Sequence, residues 1–171
     1  MSTSPSAAPH PQAAVVRPRV VVGVDGSPCG DQALVWALRQ AVLLAADLDA
    51  VASWQTPALV SGAMGFGAYV DVSGFDLAGP TLEVLEKAVA AAVGEVPGAE
   101  DVTVHSFVGE GYAARVLLEA ADGADLLVVG SRGHGELSGM LLGSVGLHCV
   151  THSPCPVVVV RGSQPAEAPH G

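Results

Sequence analysis

The stretch "RVVVGVDGSPCGDQALVWALRQAVLLAA", Arg19 to Ala46, sets two periodicities back to back. Its opening, "RVVVGV", is a short β-branched run of the kind that forms a strand buried on both faces. Gly26, Ser27 and Pro28 then punctuate the chain, after which Leu34, Leu38, Val42 and Ala45 recur at helical spacing. Ser27 before Pro28 suits a helix start: a hydroxyl cap, then a proline at the first helical position, where a missing N–H is no loss. A strand that feeds a helix through a tight turn is the first half of a βαβ unit.

Outward from this stretch the alternation continues. "LDAVASW" (48–54) reads as a second strand and "TLEVLEKAVAAAV" (81–93) as a second helix. "DVTVHSFV" (101–108) reads as a third strand, followed by a helix across "GYAARVLLEAAD". "ADLLVVG" (124–130) is an apolar fourth strand, "SVGLHCVTHS" a short last helix and "CPVVVVRG" (155–162) a fifth strand. The expected fold class is therefore α/β: one domain, with an open parallel sheet covered on both faces by helices. Residues 1–18, rich in Ser, Pro and Ala, are expected to form a disordered tail, 19–162 the domain, and 163–171 a flexible tail. The segment from Gln55 to Pro80 shows no periodicity; it reads either as a lid or partner contact or as a tolerated insertion.

Composition narrows the function classes. Half of the 171 residues are hydrophobic but only 4% aromatic, so the core must be aliphatic. No apolar run reaches the roughly 18–20 residues of a membrane span, and no basic start precedes an apolar block at the N-terminus. A cytoplasmic location is the expectation. Seven Lys and Arg against seventeen Asp and Glu leave a formal charge of −10, which argues against nucleic acid or an anionic membrane as partner. An anion bound here would have to be held by oriented main-chain amides. Cys29, Cys149 and Cys155 form no C-x-x-C pair and are odd in number, as free thiols in a reducing compartment would be. Cys29, at a helix start, reads as a reactive thiol or, by default, as a packing residue.

A second stretch, "VVGSRGHGELSGMLLGSV" (Val128 to Val145), concentrates glycines at 130, 133, 135, 139 and 143. Such glycines serve either unusual backbone angles or a close approach of backbone to ligand. In an open parallel sheet, ligands bind beyond the carboxyl ends of the strands where strand order reverses. If the first and fourth strands are neighbours, Asp25 and Gly130 flank one crevice. Asp25 would accept from a ribose hydroxyl or an adenine amino group, or else serve an Asx turn or a helix cap. Ser144 reads as the N-cap of the last helix, whose first amides, at Ser144, Val145 and Gly146, would face phosphate. The pattern is neither a Walker loop, nor the dinucleotide G-x-G-x-x-G, nor a G-x-S-x-G elbow.

At these residues the sequence resembles the universal stress protein family. The ATP-binding pattern of that family, G-x2-G-x9-G-[S/T], falls on Gly130, Gly133, Gly143 and Ser144. The opening "VVVGVDGS" and the closing "SPCPVVVVR" look like its first and last strands, and the likeness covers about residues 18–162. The resemblance implies five parallel strands in the order 3-2-1-4-5, an adenine nucleotide alpha-hydrolase-like fold. It also implies a homodimer formed by pairing of the last strands, Val157 to Val160. Carried over by position, Val24 and Asp25 would contact the nucleoside, while Ser53 and Val129 line the adenine pocket. Gly130, Gly133, Gly143, Ser144, Val145 and Gly146 would cradle ribose and phosphates. Many ATP-binding relatives have Ser or Thr where this chain has Gly146, which leaves AMP, ADP or cyclic AMP open beside ATP.

Arg132 and His134 could reach phosphate from the loop or simply be solvated. His148 and His152, four apart, offer a metal face without an apparent third ligand, so surface histidines are the default. Mg²⁺ would accompany ATP through its phosphates rather than through protein ligands. The leading expectation is a dimeric nucleotide-binding regulator of a stress response, acting on an unidentified protein partner. The alternatives are a nucleotide-free interaction module and a weak ATP hydrolase. Phosphoryl transfer needs metal ligation and a group orienting the nucleophile. The glycine stretch offers Glu136 with nothing to pin it, and no S-G-G-x-D-S loop occurs at Gly23–Cys29, so slow or negligible turnover is expected.

Overall fold

The computed structural model describes residues 17–55, 76–133 and 142–162. The expected tails, other than Arg17, Pro18 and the ends of the domain, lie outside these residues, as do most of the 55–80 segment, His134 and Glu136.

Strand β1, Arg19–Gly23, leads into helix α1, Pro28–Leu44. Ser27 caps α1 as its composition requires: its backbone is extended and its hydroxyl accepts from the Gly30 amide at 3.1 Å. Pro28 opens the helix, and Ala33, Leu34, Ala37, Leu38 and Ala41 form its buried face. The expected stripe ended on Ala45, and here the structure differs. The helix stops at Leu44, and Ala45 is an exposed C-cap in the left-handed conformation (φ 49°), its amide reaching back to Ala41 and Val42 carbonyls.

Strand β2, Asp47–Trp54, follows at once; helix α2 spans Ala78–Glu95. A single turn of 3₁₀ helix, Ala99–Asp101, then precedes strand β3, Val104–Glu110. This strand was expected from 101. It starts later because the amides of Asp101 and Val102 turn back to the carbonyls of Gly98 and Ala99, leaving Val104 to pair with Leu48. Helix α3, Ala113–Ala120, strand β4, Leu126–Gly130, helix α4, Ser144–His152, and strand β5, Val157–Val160, complete the described elements.

The strands form one sheet in the order β3-β2-β1-β4-β5, every pairing parallel, as the family resemblance implied. Alternate residues of each strand go to opposite faces. Val20, Val22, Leu48, Ala50 and Val128 pack with α1 and with Leu85 and Ala92 of α2. Val21, Val51, Leu127 and Val129 pack with Val116 and Leu117 of α3 and Cys149 of α4. Burial pushes the Cys149 thiol up, making it a packing group rather than a nucleophile.

Because β1 lies between β2 and β4, the chain leaves the sheet centre in opposite directions, and a crevice opens where strand order reverses. The opposite, amino-terminal end of the central strands is closed by Arg19. Its guanidinium meets Asp49 Oδ2 at 2.7 Å and donates to the carbonyls of Ala120 and Asp122, while its amide donates to Asp125 Oδ2. Asp49 is only 6% exposed, so the pair supplies the charge compensation its burial demands.

Candidate functional site

The crevice is a cleft of about 650 Å³ at the carboxyl ends of the central strands. That lies within the range of small-molecule sites, about 300–1,000 Å³. Each of the ten residues assigned to the nucleotide from the sequence lines it. Val24 and Asp25 follow β1, Ser53 comes from β2, Val129 and Gly130 end β4, and Gly133 follows on. Gly143, Ser144, Val145 and Gly146 bring in the start of α4. Strands and helix are locked together here by main-chain bonds. The Val24 amide reaches Val51 O at 2.9 Å, the Ser131 amide reaches Val160 O at 2.7 Å, and the Gly143 amide reaches Ser131 O at 2.8 Å.

Asp25 takes the turn-and-cap role and still borders the cleft. Its Oδ1 accepts from the Ser27 amide at 2.9 Å and the Ser27 hydroxyl at 2.6 Å, an Asx-type turn leading into the α1 cap. The same carboxylate stands on the cleft wall.

The glycines answer the question of angles against access. Gly130, Gly133 and Gly143 all have ordinary negative φ, so none is required by a left-handed backbone. At Gly130 a β-carbon would come within 2.9 Å of the Cys29 main chain, so that glycine lets α1 start against the end of β4. At Gly133 it would lie 2.5 Å from Asp25 Oδ2. At Gly143 the nearest atom would be Ser131 O at 3.6 Å, an ordinary contact. Packing accounts for the first two; among the described residues no contact accounts for the third.

One site expectation is corrected. Ser144 is not the N-cap of α4; Gly143 is, in an extended conformation (φ −72°, ψ 164°) and with no side-chain cap bond. The Gly143 carbonyl accepts the first helical bond, from Leu147 N at 2.9 Å, which makes Ser144 the first helical residue. The early amides of α4 lack helical acceptors by geometry, and with the helix dipole they present positive potential toward the cleft. Arg132 is the one basic side chain along the cleft among the described residues, and Asp25 the one acidic side chain.

Sequence reasoning missed one wall. Ala113, Val116 and Leu117 of α3 also line the cleft. Gly23 and Gly109 admit them: a β-carbon at Gly23 would lie 2.9 Å from Leu117 Cδ1, and one at Gly109 2.5 Å from Val116 Cγ1. The signal was present as an i, i+3, i+4 apolar spacing, identical to that of core packing. His148 and His152 stack with ring centroids 4.2 Å apart on the exposed side of α4, and His152 Nδ1 lies 3.0 Å from the His148 carbonyl oxygen. Among the described residues no three His, Cys, Asp or Glu side chains come together as a metal site. No described helix is long and apolar enough to cross a membrane.

A sequence model of the universal stress protein family matches residues 17–161. This chain belongs to that family. A universal stress protein of Mycolicibacterium smegmatis is 36% identical over 147 residues, covering 83% of this chain and 45% of its own length. The universal stress protein Rv2623 of Mycobacterium tuberculosis is 32% identical over 149 residues, covering 83% and 47%. The chain spans about half the length of the curated relatives it matches. Among solved structures, a universal stress protein in complex with cAMP is 28% identical and superposes with a TM-score of 0.59, covering 86% of this chain and 98% of that one. An Arabidopsis thaliana family member with AMP bound is 19% identical (TM-score 0.55, covering 89% and 97%) and shares the fold.

Proposed function

We propose that this universal stress protein binds an adenine nucleotide, ATP foremost, in the cleft at the sheet's switch point. The observation that carries the reading is convergence. Ten residues chosen from four separate segments of sequence line a single cleft of nucleotide size. Asp25 and Val24 would meet the nucleoside, while Ser53 and Val129 border the base. Gly130, Gly133 and the α4 start from Gly143 to Gly146 would take ribose and phosphates. The Gly143 amide is already bonded to Ser131, so the phosphate donors are the amides that follow it. Main-chain donors let a protein of charge −10 hold a polyanion without a basic patch. Mg²⁺ would enter with ATP, ligated by its phosphates.

Two observations favour AMP or cyclic AMP as a second reading. A relative 28% identical was solved with cAMP, and α4 carries Gly146, with no hydroxyl, beneath the Leu142 side chain. Around the nucleotide we place a cytoplasmic, dimeric stress regulator comprising residues 19–162 between two tails. It would associate through β5, an edge strand of four half-buried valines paired only with β4 among the described elements, and turn over ATP slowly or not at all. Acid extraction of purified protein and assay for adenine nucleotide, followed by calorimetric titration with ATP, ADP, AMP and cyclic AMP, tests the reading. Folded protein that releases no nucleotide and gives no heat with any of the four overturns it.

A further inference from the structure

Ser27 does not line the cleft, yet it touches the group that does. It is 3% exposed, and its Oγ is engaged both as donor and as acceptor. Its oxygen accepts the Gly30 amide at 3.1 Å, which fixes the hydroxyl at the start of α1. Its single proton faces Asp25 Oδ1 at 2.6 Å, with the Arg132 carbonyl at 3.4 Å as the distant alternative. The short contact to a carboxylate takes the proton. The carboxylate is also confined on both sides by absent side chains: β-carbons at Gly30 and Gly133 would lie 2.5 Å from Oδ1 and Oδ2 respectively. An aspartate at an exposed turn ordinarily samples several rotamers. This one is seated in a slot between two glycines and anchored at one oxygen to a helix cap.

We infer that Ser27 is a positioning residue for the nucleotide site. By donating to Asp25 Oδ1 beside the Ser27 amide, its hydroxyl helps present the Asp25 carboxylate to the bound nucleoside in one orientation before the ligand arrives. The inference rests on the nucleotide reading given above and adds a residue to it. Pre-orientation removes the rotamer entropy that Asp25 would otherwise lose on binding, so its effect appears in affinity and only through Asp25.

The test is a double-mutant cycle on the full-length protein with ATP as the probe, read by calorimetry: unaltered protein, Ser27→Ala, Asp25→Ala and the double variant. Ser27→Ala is expected to weaken ATP about tenfold, the loss of one hydrogen bond to a charged group. In the Asp25→Ala background the same change is expected to move affinity by less than about twofold. Ser27→Thr, which keeps the hydroxyl, should restore most of the affinity. If removing the cap unfolds the protein, Ser27→Gly takes its place in the cycle, because glycine is tolerated at N-caps. Equal losses in both backgrounds mean Ser27 acts only as a cap, and no loss in either means that it does not act at the site; both overturn the inference. An unaltered, folded protein that gives no heat with ATP is a different failure, that of the nucleotide reading.

Discussion

Replacing Gly143 by alanine separates ligand from scaffold. In the protein itself the change is mild: the new methyl would find Ser131 O at 3.6 Å and Arg132 Cα at 3.7 Å, and φ −72° suits alanine. Alanine is a poorer N-cap than glycine, a loss of several tenths of a kcal/mol. Reduced freedom of the unfolded chain returns about 0.4–1 kcal/mol. The two offset, so the unliganded variant should stay within about 0.5 kcal/mol of the parent, a shift of about 2 °C or less in Tm. A nucleotide phosphate against the Gly143 Cα has no such room. Displacing it from the amides of α4 loses a hydrogen bond to a charged group, about 1.5–3 kcal/mol, or roughly ten- to a hundredfold in Kd. The assay is calorimetry with ATP, paired with thermal unfolding with and without ligand. At a ligand concentration of about 100 times the parent Kd the parent should gain about 2.7 kcal/mol, and the variant only about 0.4–1.4 kcal/mol. An alanine variant that binds ATP as the parent does would refute the placement of phosphate at α4. One that unfolds would refute the reading of Gly143 as structurally idle.

Gly130→Ala, unlike the Gly143 change, should destabilise the unliganded protein itself by about 1–3 kcal/mol in urea, because its methyl meets the α1 main chain at 2.9 Å. Arg19→Met strands the buried Asp49 carboxylate and should lower stability by about 3 kcal/mol, with ATP affinity per folded molecule unchanged, since Arg19 opens β1 at the end of the sheet away from the cleft. Val158→Lys adds a charge to the β5 edge at a valine outside both packed clusters, and sedimentation should show a dimer becoming a monomer; a variant that stays dimeric places the contact elsewhere.

The fold was legible because both of its periods were clean. The run 19–24 and the spacing of Leu34 and Leu38 defined strand and helix, and Ser27-Pro28 marked the boundary to the residue. Ends were less legible where main-chain bonding decided them. No propensity places Ala45 in a left-handed cap, and nothing local tells Thr103 from Val104 as a strand start until Val104 meets Leu48. At the site, residues that stand out chemically were visible: glycines, an aspartate after a strand, a serine at a helix start. Val116 and Leu117 were not, since an apolar side chain facing a cleft and one facing a core have the same sequence signature. Gly130 was carried over as a ribose and phosphate contact, and its further constraint, the packing of α1 on β4, is one that only three-dimensional proximity reveals.

Ser131 has a part in two structures at once. Its N–H is committed to Val160 at the rim strand and its C=O to Gly143 at the mouth of α4. One residue thus forms a mechanical joint between the place where a polyanion would rest and the border where a second subunit would attach. A tug on Gly143 must stretch a 2.8 Å bond or be handed on through a 2.7 Å one, so under the proposed reading occupancy and assembly would be wired in series rather than set independently.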